Sequence, residues 1–190
     1  MMSLKEQNAA LILIDFQKGF DEGEYLDKNR NNKDAEKKAS IILNKWREIK
    51  FPVFHIIHSS KNPNSSFHES HSGFEIKDEV KPIKGEPVIK KNVHSAFIGT
   101  DLKERLDTHG INSLVIIGMT TNHCVSTSTR MAGDFGFDTF LISDATATFD
   151  RIGINGEKFS SEIIHQTALA NLNNDFAQVI DTKKLLELVE

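Results

Sequence analysis

At 190 residues, with 38% hydrophobic side chains, the chain has the size of one ordinary domain and material for one sizeable core. With 23 basic and 27 acidic side chains the net charge is −4, which provides no general attraction for nucleic acid or an anionic membrane. No run of about 18 apolar residues offers a spanning helix, residues 1–8 lack the apolar centre of a signal peptide, and a single cysteine excludes an internal disulfide, so a reducing compartment, the cytoplasm, is expected.

Ala9 to Ile14 is an unbroken apolar run ending at Asp15, the pattern of a parallel strand buried on both faces. Residues 21–38 are charged and Asn-rich and begin as a loop. Ala35, Ala39, Ile42, Leu43, Trp46 and Ile49 then recur at helical spacing, and Pro52 closes that helix. Val53 to Ile57 reads as the second strand. Ser59 to Pro87 is long, polar and weakly periodic, and a structureless loop of that length is often functional. Val88-Ile89 opens a short third strand. Thr100 caps a helix that carries Leu102 and Leu106 and stops at Gly110. Ser113 to Ile117 is a fourth buried strand ending at Gly118, followed by a helix from about Asn122 to Phe135. A strand over Thr139 to Ile142, a helix over residues 160–172, a strand over Ala177 to Ile180 and a short helix over residues 183–189 complete the chain.

Strands alternating with helices predict an α/β fold, a parallel sheet with helices on both faces. No repeat or linker divides it, so residues 1–190 read as one domain. In such sheets a ligand lies beyond the carboxyl ends of the strands. That rule selects Asp15, the His55 to Ser60 segment, Lys91, the Gly118 to Cys124 turn and Ser143-Asp144.

Cys124 falls in the first turn of a helix, capped by Thr121 or Asn122. Free backbone N–H groups and the helix dipole there favour a thiolate and a lowered pKa, hence fast alkylation near neutral pH. The same N–H groups could hold an oxyanion. Asp15 ends a central strand, where burying a carboxylate without a partner costs several kcal/mol. Lys90 and Lys91 must point to opposite sides, and an inward lysine would offset Asp15 and stabilise a thiolate. Each has a plainer reading: Cys124 as a packed small side chain, Asp15 as a loop hydrogen-bonder, the lysines as a solvated strand end. Together they form a plausible activated-nucleophile set.

Three stretches carry a resemblance: Leu13-Ile14-Asp15-Phe16-Gln17; Lys91 to Phe97 with Gly99-Thr100-Asp101-Leu102; and Gly118-Met119-Thr120-Thr121-Asn122-His123-Cys124-Val125. With Ser143-Asp144-Ala145 they resemble the isochorismatase-like cysteine hydrolases, which include nicotinamidases, N-carbamoylsarcosine amidases, streptothricin hydrolases and isochorismatases. The resemblance runs from about Ala9 to Thr182. It implies a three-layer α/β sandwich with a six-stranded parallel sheet, a small-molecule substrate and self-association. It also implies Asp15 as general base, Lys91 as the orienting cation and Cys124 as nucleophile. The N–H groups of Thr120 and Cys124 would form the oxyanion hole, with a cis peptide between Met119 and Thr120.

The chain departs from two branches of that family. Zinc-containing nicotinamidases carry an Asp-x-His element after the second strand. This chain reads His55-Ile56-Ile57-His58 there, with His68 and His71 downstream. His55 and His58 fall on opposite faces of a strand, so neither metal nor cofactor is expected. Isochorismatases proper act on an enol ether and lack the nucleophilic cysteine, so Cys124 favours hydrolysis of an amide-type C–N bond. The alternatives are a vinyl-ether hydrolase with Asp15 as acid, and a non-catalytic ligand-binding or redox domain on the same fold. A nucleotide-binding domain is weaker, since no Gly-x-Gly-x-x-Gly follows the first strand. Phe20, His58, Phe97, His123 and Phe149 are expected to line the pocket, with core packing the competing role for each phenylalanine. His165, mid-helix, reads as structural.

Overall fold

The computed structural model describes Leu4 and residues 8–189. Its main sheet is built from β1 (Ala10–Ile14), β2 (Val53–His58), β3 (Val88–Lys91), β4 (Ser113–Met119), β5 (Asp138–Ala147) and β8 (Gln178–Ile180). The strands lie in the order β3-β2-β1-β4-β5-β8, and each neighbouring pair is parallel.

Alternation along β1 sorts its side chains into two layers. Leu11 and Leu13 pack with Ala39, Ile42, Leu43 and Trp46 of α1 (Ala35–Glu48) and with Leu185 and Val189 of α5 (Thr182–Val189). Ala10, Ile12 and Ile14 face the other layer. There they meet Leu102 and Leu106 of α2 (Leu102–Thr108), Ala132 of α3 (Ser126–Asp134) and Leu169 and Leu172 of α4 (Ser161–Leu172). Trp46, fully buried, satisfies its indole N–H on the Ala9 carbonyl at 2.9 Å. No helix among the described residues is long and apolar enough to cross a membrane.

The strand order reverses between β1 and β4, because β2 and β3 extend to one side of β1 and β4 opens the other. That switch point leaves a crevice beyond the carboxyl ends of β1 and β4. Gly118 allows the two strands to close tightly there. It sits at φ 141°, and a Cβ at this position would run into the backbone carbonyl of Ile14. Gly118→Ala is therefore expected to lower the unfolding free energy by at least about 1–3 kcal/mol, read from the denaturant midpoint.

Three features depart from the sequence expectations. The fifth strand does not stop at Ile142. Opposite β4 the register jumps from Ile116–Leu141 to Gly118–Thr146, so the polar Ser143-Asp144-Ala145 bulges out of an otherwise continuous strand. Asn32 braces the bulge by donating its side-chain amide to the Ser143 and Thr146 carbonyls at 2.9 and 2.7 Å. A small antiparallel hairpin, β6 (Arg151–Ile152) with β7 (Lys158–Phe159), follows it. Two-residue strands carry no readable period. Third, the Ser59 to Pro87 segment is not structureless. It forms 3-10 turns at Ser72–Phe74 and Asp78–Val80. Gln17 ties it down by donating to the His58 and Phe74 carbonyls, each at 3.0 Å.

Candidate active site

Asp15 caps the carboxyl end of β1 in the left-handed region, φ 51°, and is 2% exposed. Its N–H donates to the Ile56 carbonyl at 2.9 Å, so the turn that aims its carboxylate is held by β2. On β3 the burial alternates, with Val88 and Lys90 out and Ile89 and Lys91 in. Lys90 reaches Glu69 at the surface. Lys91 is the inward lysine. Its Nζ donates to Asp15 Oδ2 at 2.7 Å, to Cys124 Sγ at 3.3 Å and to the Val93 carbonyl at 3.3 Å. An ammonium has three protons, and each finds an acceptor here.

Cys124 lies in a π-turn, Thr121–Val125, that precedes α3, rather than in the first turn of an ordinary α-helix. The Thr120 carbonyl accepts the N–H groups of His123 at 3.0 Å and Val125 at 3.3 Å, bypassing the N–H of Cys124 between them. Neither Thr121 nor Asn122 caps the turn. The peptide bond between Met119 and Thr120 is cis. On the far side, the Cys124 carbonyl accepts from Ser128 Oγ at 2.7 Å, and that hydroxyl accepts the Ala96 N–H at 3.0 Å. The Ser95-Ala96-Phe97 element is thereby stitched to the turn that carries Cys124.

The expected low thiol pKa is overturned. Burial pushes the Cys124 thiol up to about 12, with the Asp15 charge adding to it and Lys91 only partly opposing. Desolvation favours the neutral form, and no exposed helix start outweighs it. Asp15 Oδ1 is buried without a hydrogen-bond partner, and the Asp15 charge lies close enough to the thiol to raise its pKa. Cys124 thus rests as a thiol beside the Asp15–Lys91 ion pair. Iodoacetamide at neutral pH is accordingly expected to label Cys124 more slowly than a free model thiol, followed by mass spectrometry.

Asp15 and Cys124 form one end of a cavity of about 190 Å³. Phe20, His58 and His123 line it together with Thr120, Tyr25, Phe67, His94, Glu24 and Ser65. Phe20 packs edge-on to Tyr25 at 4.9 Å and to Phe67 at 4.7 Å between centroids, forming an aromatic wall. Two expected lining residues lie elsewhere. Phe149 is buried behind the wall, against Phe20 and Tyr25. Phe97 packs against Phe135 and Phe137 in the α2–α3 layer, where its ring is buried among apolar side chains.

Burial lowers the pKa of His58, with Lys91 adding to it. Burial, then Arg151 and His94, lower His123 to about 4. Both rings are neutral at pH 7. His94 places Nδ1 3.6 Å from Cys124 Sγ. His165 is structural, its Nδ1 held at 2.9 Å from Thr121 Oγ1. His55 and His58 do point to opposite faces. His55 Nε2 meets Glu86 at 2.9 Å, whereas His58 faces the cavity. His68 and His71 are engaged with Ser70 and the Pro63 carbonyl. Among the described residues no group of three His, Cys, Asp or Glu side chains is arranged to hold a metal.

A parallel six-stranded sheet between two helical layers, with a half-buried cysteine at the switch point, is the architecture of an isochorismatase-like α/β hydrolase. A hydrolase of the isochorismatase family from Chromobacterium violaceum superposes with a TM-score of 0.92 at 36% identity, covering 95% of this chain and 93% of that one. Residues 9–184 match the isochorismatase domain, and the chain belongs to the isochorismatase family. The uncharacterized isochorismatase family protein YrdC of Bacillus subtilis is 46% identical over 95% of this chain and 96% of its own. Nicotinamidase 3 of Arabidopsis thaliana is 31% identical over 93% and 86%.

Proposed function

We propose that this isochorismatase-family hydrolase is a cysteine amidase that cleaves a C–N bond of a small molecule through a thioacyl-enzyme. The observation that carries this reading is the single Lys91 ammonium touching both Asp15, at 2.7 Å, and Cys124, at 3.3 Å. A nicotinamidase among the relatives supports the same bond type.

The chemistry follows from the resting protonation. As Cys124 Sγ attacks the amide carbon, its proton passes to Asp15, so the sulfur becomes nucleophilic only when a carbonyl is present. The carbonyl oxygen becomes an oxyanion, and the N–H groups of Thr120 and Cys124 are its donors. The C–N bond then breaks, and the amine leaves with the proton that Asp15 holds. Water, deprotonated by Asp15, hydrolyses the thioester and restores the thiol. Lys91 keeps a positive charge beside the carboxylate and sulfur throughout. A free thiol of this kind suits a reducing, cytoplasmic setting.

The test is a panel of small amides and ureas incubated with wild type and with Cys124→Ala, reading ammonia or amine release and trapping the acyl-enzyme in acid for mass spectrometry. Release by wild type alone, with an adduct on the peptide carrying Cys124, is expected. Hydrolysis that survives in Cys124→Ala would instead favour chemistry run by Asp15 without a thioester, as in a vinyl-ether hydrolase.

A further inference from the structure

His123 and Arg151 have no part in the reaction above, yet one lines the cavity beside the nucleophile and the other touches it from outside. Arg151 Nη2 lies 3.2 Å from His123 Nδ1. A guanidinium can only donate. Nδ1 must therefore present its lone pair, and the single proton of the neutral ring sits on Nε2. With Nδ1 taken, Nε2 is the nitrogen left for a ligand.

We propose that Arg151 is a positioning residue that locks His123 as an Nε2–H donor in the cavity wall, so that the site favours amides carrying a lone-pair acceptor besides the scissile carbonyl. This rests on the amidase reading. The hairpin is built to hold Arg151 in place. Arg151 pairs with Phe159 across it, and the preceding Asp150 accepts from Lys158 at 2.8 Å and from the Ser161 N–H at 2.7 Å. Arg151 is half-buried, and its Nε is withdrawn from water without a partner. The charged and titratable groups around the ring are consistent with a neutral donor. His94 stands 5.4 Å away between ring centroids, Arg151 lies on Nδ1, and Tyr25 lies within reach of the Arg151 charge. Arg151 and His94 both oppose a second proton on His123. A ring with one donor in a fixed direction discriminates between ligands that offer an acceptor there and ligands that do not.

Two measurements test this without relying on turnover. Long-range proton–nitrogen NMR of the labelled protein at pH 7 should show His123 protonated at Nε2, with both tautomers populated in Arg151→Ala and the Nε2–H form kept in Arg151→Lys. An Nδ1–H ring in the wild type, or a spectrum unchanged in Arg151→Ala, overturns the proposal. In the second, Cys124→Ser protein is titrated with benzamide and the three pyridinecarboxamides, which differ from benzamide by one ring acceptor. The best pyridine isomer should bind about fivefold tighter than benzamide, the worth of one neutral hydrogen bond. That preference should vanish when His123→Phe or Arg151→Ala is added. No isomer binding better than benzamide, or a preference that survives both substitutions, overturns it. If wild type hydrolyses none of the four amides, the amidase reading loses support while both measurements stay readable.

Discussion

Replacing Asp15 by asparagine is expected to cut turnover on the order of a hundredfold or more while alkylation of Cys124 becomes faster. The two effects run in opposite directions for one reason. In the proposed mechanism Asp15 takes the thiol proton, and the substitution removes that acceptor. The same carboxylate is also among the causes that hold the resting thiol up at about 12, whereas Lys91 pulls it down. Without the negative charge, the Lys91 ammonium 3.3 Å from the sulfur acts alone, and the thiolate fraction rises. Asparagine preserves the shape and can still accept from Lys91 through its amide oxygen. Steady-state release of amine and the iodoacetamide rate, measured on the same preparation, give the two readouts. A variant that loses both activity and labelling would point to a disturbed fold; one that keeps full turnover would remove Asp15 from the mechanism.

Lys91→Met carries the largest expected stability effect. The Lys91 and Asp15 side chains are 0% and 2% exposed and 2.7 Å apart. Removing the cation leaves a buried carboxylate without its counter-charge, which typically costs about 3–5 kcal/mol. The unfolding midpoint should therefore fall steeply, and turnover with it. Methionine fills much the same volume, so packing loss is a minor part of the effect. A second substitution separates the causes: Lys91→Met with Asp15→Asn removes both charges, and should recover most of the stability but none of the activity. Such non-additivity is what a coupled pair produces. A double variant as unstable as Lys91→Met would show that the cost came from packing.

The strands that carry the chemistry were the legible part of the chain. The run Ala9 to Ile14, the lysine alternation on β3 and the apolar segment ending at Gly118 mark three strand ends, and the structure brings Asp15, Lys91 and Cys124 together there. The thiol was misread because position at a helix start is a local property, whereas burial and the approach of Asp15 are tertiary. The π-turn was equally hidden, since no residue pattern distinguishes it from the first turn of a helix. The cavity wall was only partly readable. Tyr25 and Phe67 stand in polar, aperiodic stretches, and only contact with Phe20 gives them a role. Phe97 and Phe149 sit near strand ends in the sequence yet turn into packed layers. The bulge in β5 interrupts the apolar run with Ser143 and Asp144, which read as the end of a strand.

The site divides its labour between scaffold and connections. The groups proposed to react stand on the ends of β1 and β3 and in the turn after β4, held by the sheet and its two packed layers. Most of the wall that a substrate would meet comes from loops: Phe20 and Tyr25 after β1, Phe67 after β2, His94 after β3. Arg151, on the hairpin after β5, stands behind that wall. Segments of this kind tolerate exchange and insertion far better than the strands they connect. A lineage built on this plan can therefore drift in the molecules it accepts while the bond-breaking step stays put. Sequence similarity concentrated in the three strand-end motifs would then trace the shared reaction across descendants whose diets have diverged.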